Sequence, residues 1–136
     1  MFDLRAALIP WLVFGAPVPL AAQAVKPAIA VPSGIEIALQ EVRFEPGAEG
    51  GNVLRLRYVA PQIGQGGAGF DTVAQDFEVL CNTHAAPESR ARGVNVDLVV
   101  VSLSDRATDF GVSYPDATQY FEAFTFETDI CIWEGF

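Results

Sequence analysis

The stretch Val94-Asn95-Val96-Asp97-Leu98-Val99-Val100-Val101-Ser102-Leu103 constrains the fold more than any other part of the chain. It opens with strict alternation, Val94, Val96 and Leu98 against Asn95 and Asp97, and then becomes continuously apolar. Branching at Cβ stiffens these side chains and favours extended backbone over helix. Alternation marks a strand with one face in the core, and a continuous apolar run marks one covered on both faces. The segment therefore predicts a central strand, which needs partner strands beside it and a layer packed against it.

The partners are legible on either side. Ile35, Ile37 and Leu39 alternate with Glu36, Ala38 and Gln40, and Leu54, Leu56 and Tyr58 alternate with Arg55, Arg57 and Val59. Between them, Pro46-Gly47-Ala48-Glu49-Gly50-Gly51 is turn chemistry. A hairpin that pairs Ile37 with Tyr58 and Leu39 with Leu56 collects the large apolar residues on one face and sets Arg57 diagonal to Glu36; a slip of one residue would invert a strand. Pro61 ends the second strand, and a glycine-rich loop over 64–69 follows. Asp71 has the chemistry of a helix N-cap. Val73, Phe77, Leu80 and Cys81 then form a helical apolar stripe, with Asp76, Glu78 and Asn82 off it. Pro87 is expected to stop that helix, leaving 88–93, with Arg90 and Arg92, as an exposed loop. Residues 104–115 read as a loop and 120–126 as an extended aromatic segment, with one helical turn over 117–121 as the alternative. Glu127-Thr128-Asp129 reads as a turn and Ile130-Cys131-Ile132-Trp133 as a terminal strand. The fold expected is α+β: an antiparallel sheet of four to five strands with one helix packed on it, in ββαββ order.

The N-terminus reads as a secretion signal. Arg5 lies in a short n-region with Asp3, residues 6–22 are apolar or small, and Ala22-Gln23-Ala24 is a small-x-small cleavage pattern. An uncleaved anchor is the alternative, but the run falls short of the about 20 residues of a spanning helix and contains Pro10, Pro17 and Pro19. The expected organisation is a signal peptide at 1–24, an extended lead-in at 25–33 containing Pro27 and Pro32, and one α+β domain at 34–136, working in the periplasm or outside the cell with no membrane span after cleavage. An oxidising compartment turns an even cysteine count into a bridge, and Cys81 and Cys131 allow only one; a reactive free thiol is the alternative.

Cleavage would remove one basic and one acidic side chain, so the net charge of −9 is kept. Such a surface repels nucleic acid and anionic lipid. Arg55 and Arg57 on one strand make a contact for a partner's carboxylate more readily than a nucleic-acid groove. Gly64-x-Gly66-x-x-Gly69 has the spacing of a dinucleotide fingerprint, but its strand reads as half a hairpin rather than the start of a parallel βαβ unit, and Asp71 puts negative charge where phosphate would sit. Cys81 and His84 share a helix face, yet a zinc site needs more ligands and a bridged cysteine offers no thiol. The pairs Asp105 with Asp109 and Glu127 with Asp129 lack calcium-loop spacing and suit turns. Asp109-Phe110-Gly111 matches a kinase tripeptide without any other kinase element. Among Tyr120, Phe121, Phe124, Phe126 and Trp133, alternation puts Phe121 and Phe124 on opposite faces, so one of them can anchor a partner.

The segments Pro115-Asp116-Ala117-Thr118-Gln119-Tyr120-Phe121-Glu122-Ala123-Phe124 and Cys131-Ile132-Trp133-Glu134-Gly135-Phe136 resemble the tail of a family of exported alphaproteobacterial proteins with no assigned function. That resemblance implies a secreted single-domain architecture and carries over no catalytic residue. The reading assigns no catalytic residue, cofactor or metal. It expects a binding or assembly module whose partner is another envelope protein, touched by Arg55, Arg57 and Phe121. The alternative is a small ligand-binding protein or hydrolase whose mouth is made by the loops 64–69 and 105–115.

Overall fold

A computed structural model describes residues 29–135, together with 10 and 12–16. Residues 1–24, expected as a signal peptide, and the first part of the expected lead-in therefore lie almost wholly outside the described residues. Five strands and one helix follow: β1 (Ala38–Pro46), β2 (Asn52–Val59), α1 (Phe70–Arg92), β3 (Leu98–Ser104), β4 (Gln119–Glu127) and β5 (Ile130–Trp133). They form one helix against a five-stranded sheet in the order β1-β2-β3-β4-β5, an α+β fold.

The strand β3 holds the centre because its sequence permits burial on both sides: from Val101 through Ser104 every residue is buried. Its two partners reach it differently. β4 returns by a loop and pairs antiparallel, with Val99 opposite Phe124 and Leu103 opposite Tyr120. β2 feeds α1, which carries the chain back along the sheet, so β3 runs parallel to β2, with Leu54 opposite Val99 and Tyr58 opposite Leu103. The other pairings are antiparallel, so the sheet is mostly antiparallel with one parallel join. The parallel join is a consequence of the helix length, since a crossover helix returns the chain to the end of the sheet from which β2 began. β2 is thus half of a hairpin and also the start of a βαβ unit, which corrects the reading that it is only the former.

The first hairpin forms with a shifted register. Leu39 stands opposite Tyr58, Val42 opposite Leu56 and Phe44 opposite Leu54, with a bulge between Leu39 and Glu41. The strand lies further along the chain than the alternation of Ile35, Ile37 and Leu39 suggests, because the turn over 47–51 is short and fixes Pro46 opposite Asn52. Ile37 stays in the core, packed as part of the segment leading into β1. That segment is held by Asp76, which is fully buried: it accepts from the Ser33 amide at 2.9 Å and from the Ser33 hydroxyl. Asp76 therefore does not lie off the buried side of the helix.

Helix α1 is longer than its sequence signals imply. It begins at Phe70 with Gly69 as N-cap and no side-chain cap, so Asp71 sits in the first turn, where its charge suits the helix dipole. Pro87 does not stop it. Pro87 faces solvent, and the following Glu88, Ser89, Arg90, Ala91 and Arg92 complete the helix. The end is made by Gly93 in left-handed conformation, φ 62°, with Gly93 and Val94 amides donating to Arg90 and Ser89 carbonyls. Val73, Phe77, Leu80, Cys81 and Ala85 are fully buried against Leu54, Leu56, Val99 and Val101.

The disulfide joins Cys81, on the middle of the helix, to Cys131 on the edge strand β5, with Cα atoms 6.2 Å apart. Asn82 Oδ1 reinforces the join by accepting from the Cys131 amide at 3.0 Å. The β4–β5 turn, Thr128-Asp129, has both residues at positive φ, 51° and 62°, the geometry of a tight two-residue hairpin. Arg90 pairs with Asp129 and ties that turn to the helix end. Closing a loop between residues 50 apart restricts the unfolded chain by about 4 kcal/mol in the loop-entropy account. Replacing both cysteines by serine is expected to lower unfolding stability by about that amount in a urea titration. An unchanged midpoint would show that the bridge does not hold the edge strand.

Candidate functional site

Alternation in β2 sends Leu54, Leu56 and Tyr58 towards the helix and Arg55 and Arg57 to the opposite face of the sheet. No helix covers that face among the described residues. Arg57 stands opposite Glu41 in β1, and Arg55 stands opposite Arg43. Like charges directly across two strands repel. Carboxylates on β1 relieve that repulsion: Glu45 meets Arg55 at 2.7 Å, and Glu41 takes both Arg43, at 2.7 Å, and Arg57. Glu41 is consequently held below the ordinary carboxylate range, first by its hydrogen bond to Arg43 and then by the one to Arg57.

The loop 105–118 folds back over this face. Its neck is closed by the Asp105 amide donating to the Thr118 carbonyl at 3.0 Å. Arg106 holds the Asp105 carboxylate and donates to the Asp116 carbonyl, and its hydrogen bond keeps Asp105 below its ordinary value. Thr108 is the anchor. It is buried, and Arg57 Nη2 donates to its carbonyl at 2.9 Å and to its hydroxyl at 3.0 Å, while Gln40 Nε2 donates to the same carbonyl at 2.8 Å. This fixes Phe110 with its ring centroid 4.0 Å from the Arg43 guanidinium carbon, 5.3 Å from that of Arg55 and 5.5 Å from that of Arg57. Three cations facing one ring is an arrangement the ring quadrupole stabilises, by about 0.5–2 kcal/mol per contact depending on solvent exposure.

Beside Phe110 lies a cavity of about 120 Å³ whose walls include Arg55, Arg57, Ser102, Ser104 and Phe121. The three contact residues named from the sequence, Arg55, Arg57 and Phe121, are thus brought to one place. Phe124 is buried under the helix and Phe121 is 53% exposed. Arg43, Thr108, Phe110, Ser102 and Ser104 are not among the contact residues that the sequence suggests. The one signal for Phe110 is an aromatic in a largely polar loop that also holds Tyr114, and the kinase-like tripeptide around it obscures that signal.

The other candidates fall elsewhere. The glycines of 64–69 serve the loop itself: a Cβ on Gly64 would stand 2.6 Å from Thr118 Oγ1, and one on Gly67 would stand 2.2 Å from the Gln62 carbonyl oxygen. Gly64 therefore brings this loop against the 105–118 loop, with an open polar depression between them bordered by Gln65, Asp105 and Arg106. Asp109 is occupied by Tyr114, whose hydroxyl donates to Oδ2 at 3.0 Å. Among the described residues no cluster of three or more histidine, cysteine or acidic side chains could hold a metal ion.

His84 is half-buried on the helix and shares a hydrogen bond with Tyr58, whose oxygen is 2.6 Å from Nδ1. Burial, and secondarily Glu88, pushes the Tyr58 phenol well up, so it stays protonated. Burial holds His84 below its ordinary value, with Glu88 pulling the other way. The pair is a satisfied neutral contact, and Cys81 beside it is bridged.

A family model matches residues 13–136, and the chain belongs to that family, DUF6497, a family of unknown function. No curated protein and no solved structure matches it.

Two outcomes follow from this geometry. Arg57→Ala removes the donors to Glu41 and Thr108 and is expected to cost about 2–3 kcal/mol of stability, with faster amide exchange across 106–112 as the loop loses its anchor. Exchange unchanged in that loop would show that Thr108 does not depend on Arg57. His84 favours the neutral form in the folded state, so the unfolded chain binds a proton first as pH falls. Its contribution is present above about 6.5 and is lost as pH drops from there through the lowered folded value. His84 is the only histidine, so His84→Gln is expected to flatten the fall in urea midpoint between about pH 7 and 5.

Proposed function

We propose that this chain is an exported binding or assembly module without catalysis, that it works in the periplasm or outside the cell, and that it uses the arginine–Phe110 face to hold another envelope protein. The observation that carries this reading is the convergence of Arg43, Arg55 and Arg57 on one exposed aromatic ring, with exposed Phe121 alongside. In a chain of net charge −9 this is a local concentration of cations, presented on a rigid sheet. Arginine and aromatic residues are the side chains that dominate protein contacts.

Export is supported by the disulfide, which suits an oxidising compartment, and by the apolar N-terminal run with its small-x-small site. Among the described residues no helix is long and apolar enough to cross a membrane. A second reading, ligand binding or hydrolysis in the mouth between the loops 64–69 and 105–115, is favoured by the contact of Gly64 with Thr118, which sets those loops side by side.

The test is affinity capture from oxidised envelope extract with the wild type and with Phe121→Ser, an exposed change that leaves the core intact. One stoichiometric protein is expected on the wild type and about tenfold less on the variant. The captured bait is expected to start at Val25 and to take up no alkylating agent without reduction. A bound small molecule with no protein partner would overturn this reading in favour of the mouth.

A further inference from the structure

Two buried side-chain polar atoms among the described residues have no hydrogen-bond partner, Arg43 Nε and Ser104 Oγ, and both belong to the open face of the sheet. Ser104 is only 6% exposed and lines the cavity beside Phe110, next to Ser102, which is 7% exposed. A buried hydroxyl left unpaired is costly, so natural structures rarely keep one without a use. Alternation puts Ser102 and Ser104 on the face away from the helix, where apolar residues would serve a plain strand equally well.

The other walls state what would satisfy that hydroxyl. Arg55 and Arg57 border the cavity, and Phe121 and Val112 give it an apolar side. The three guanidiniums on this face are met by two carboxylates, Glu41 and Glu45, with Glu41 shared. A third carboxylate, Asp109, also borders the cavity, and its Oδ2 accepts from Tyr114. A volume of about 120 Å³ has room for a group of a few heavy atoms.

From this geometry we infer that the cavity is a carboxylate-accepting site, in which Arg55, Arg57 and the Ser104 hydroxyl receive an acidic group of the partner. The inference rests on the proposed protein-binding role and deepens it, since it names the chemical group recognised. The methylenes of an acidic side chain, or the last residue of a free C-terminus, would lie against Phe121 and Val112.

The probe is acetate, added to the oxidised chain at constant ionic strength and followed by backbone and arginine side-chain NMR. Saturable shifts at Ser104, Arg57 and Phe121 are expected, with a dissociation constant on the order of 1–10 mM. Acetamide, which has the same shape without the charge, is expected to give none. Ser104→Ala removes the hydroxyl without adding bulk and is expected to weaken acetate about tenfold while leaving the remaining spectrum in place. Two peptides distinguish the sources: acetyl-Gly-Asp-Gly-amide presents a side-chain carboxylate, and acetyl-Gly-Gly-Gly with a free C-terminus presents a terminal one. Linear, unsaturable shifts, or an equal response to acetamide, would overturn the inference and leave a cavity that holds only water. If capture of a protein partner still depends on Phe121 while acetate does not bind, the binding role stands and the carboxylate site falls. Acetate binding without any captured partner would have the opposite meaning.

Discussion

The structure is organised around a helix that has one apolar stripe and a sheet that has two faces. Val73, Phe77, Leu80 and Cys81 fill one side of α1 and seat it against Leu54, Leu56, Val99 and Val101. Because α1 links β2 to β3, its seating also forces those strands to run parallel and puts β3 in the middle. The bridge from Cys81 to Cys131 extends the same seating to the far edge, where β5 is only four residues long and offers little pairing of its own. Core, strand order and edge are therefore one problem with one solution.

The second face then needs a different solution, and the chain supplies it with charge rather than another helix. Arg43, Arg55 and Arg57 would repel one another if left alone. Glu41, Glu45, the Thr108 carbonyl and the Phe110 ring each take part of that charge. The loop is held by the arginines, and the arginines are ordered by the loop. This interdependence leaves the exposed ring, the neighbouring Phe121 and the small polar cavity as fixed features on a rigid sheet, the arrangement that a recognition surface requires.

Much of this is legible from local pattern. The β-branched run of β3, the turn at 47–51, the stripe of α1 and the four residues of β5 are visible because each depends on neighbours within a few positions. Arg55 and Arg57 are visible as a pair because they alternate with buried Leu54, Leu56 and Tyr58. What escaped was set at longer range. The hairpin register depends on where the turn closes, and the helix runs through solvent-facing Pro87 to end at Gly93 in left-handed conformation. Phe110 acquires its role only when a loop some 50 residues beyond Arg55 and Arg57 folds back onto them, and nothing in the spacing of Asp109, Phe110 and Gly111 announces that.

The sequence by itself determined the type and order of the elements, the single possible disulfide and which side of β2 is charged, since periodicity and composition act locally. The tertiary structure decided the parallel join of β2 and β3, the burial of Asp76 under Ser33, the meeting of three arginines on Phe110 and the unpaired hydroxyl of Ser104. Each of these depends on groups distant in the chain being brought within a few ångströms of each other, and only the packing of one helix on one face of the sheet fixes which groups those are.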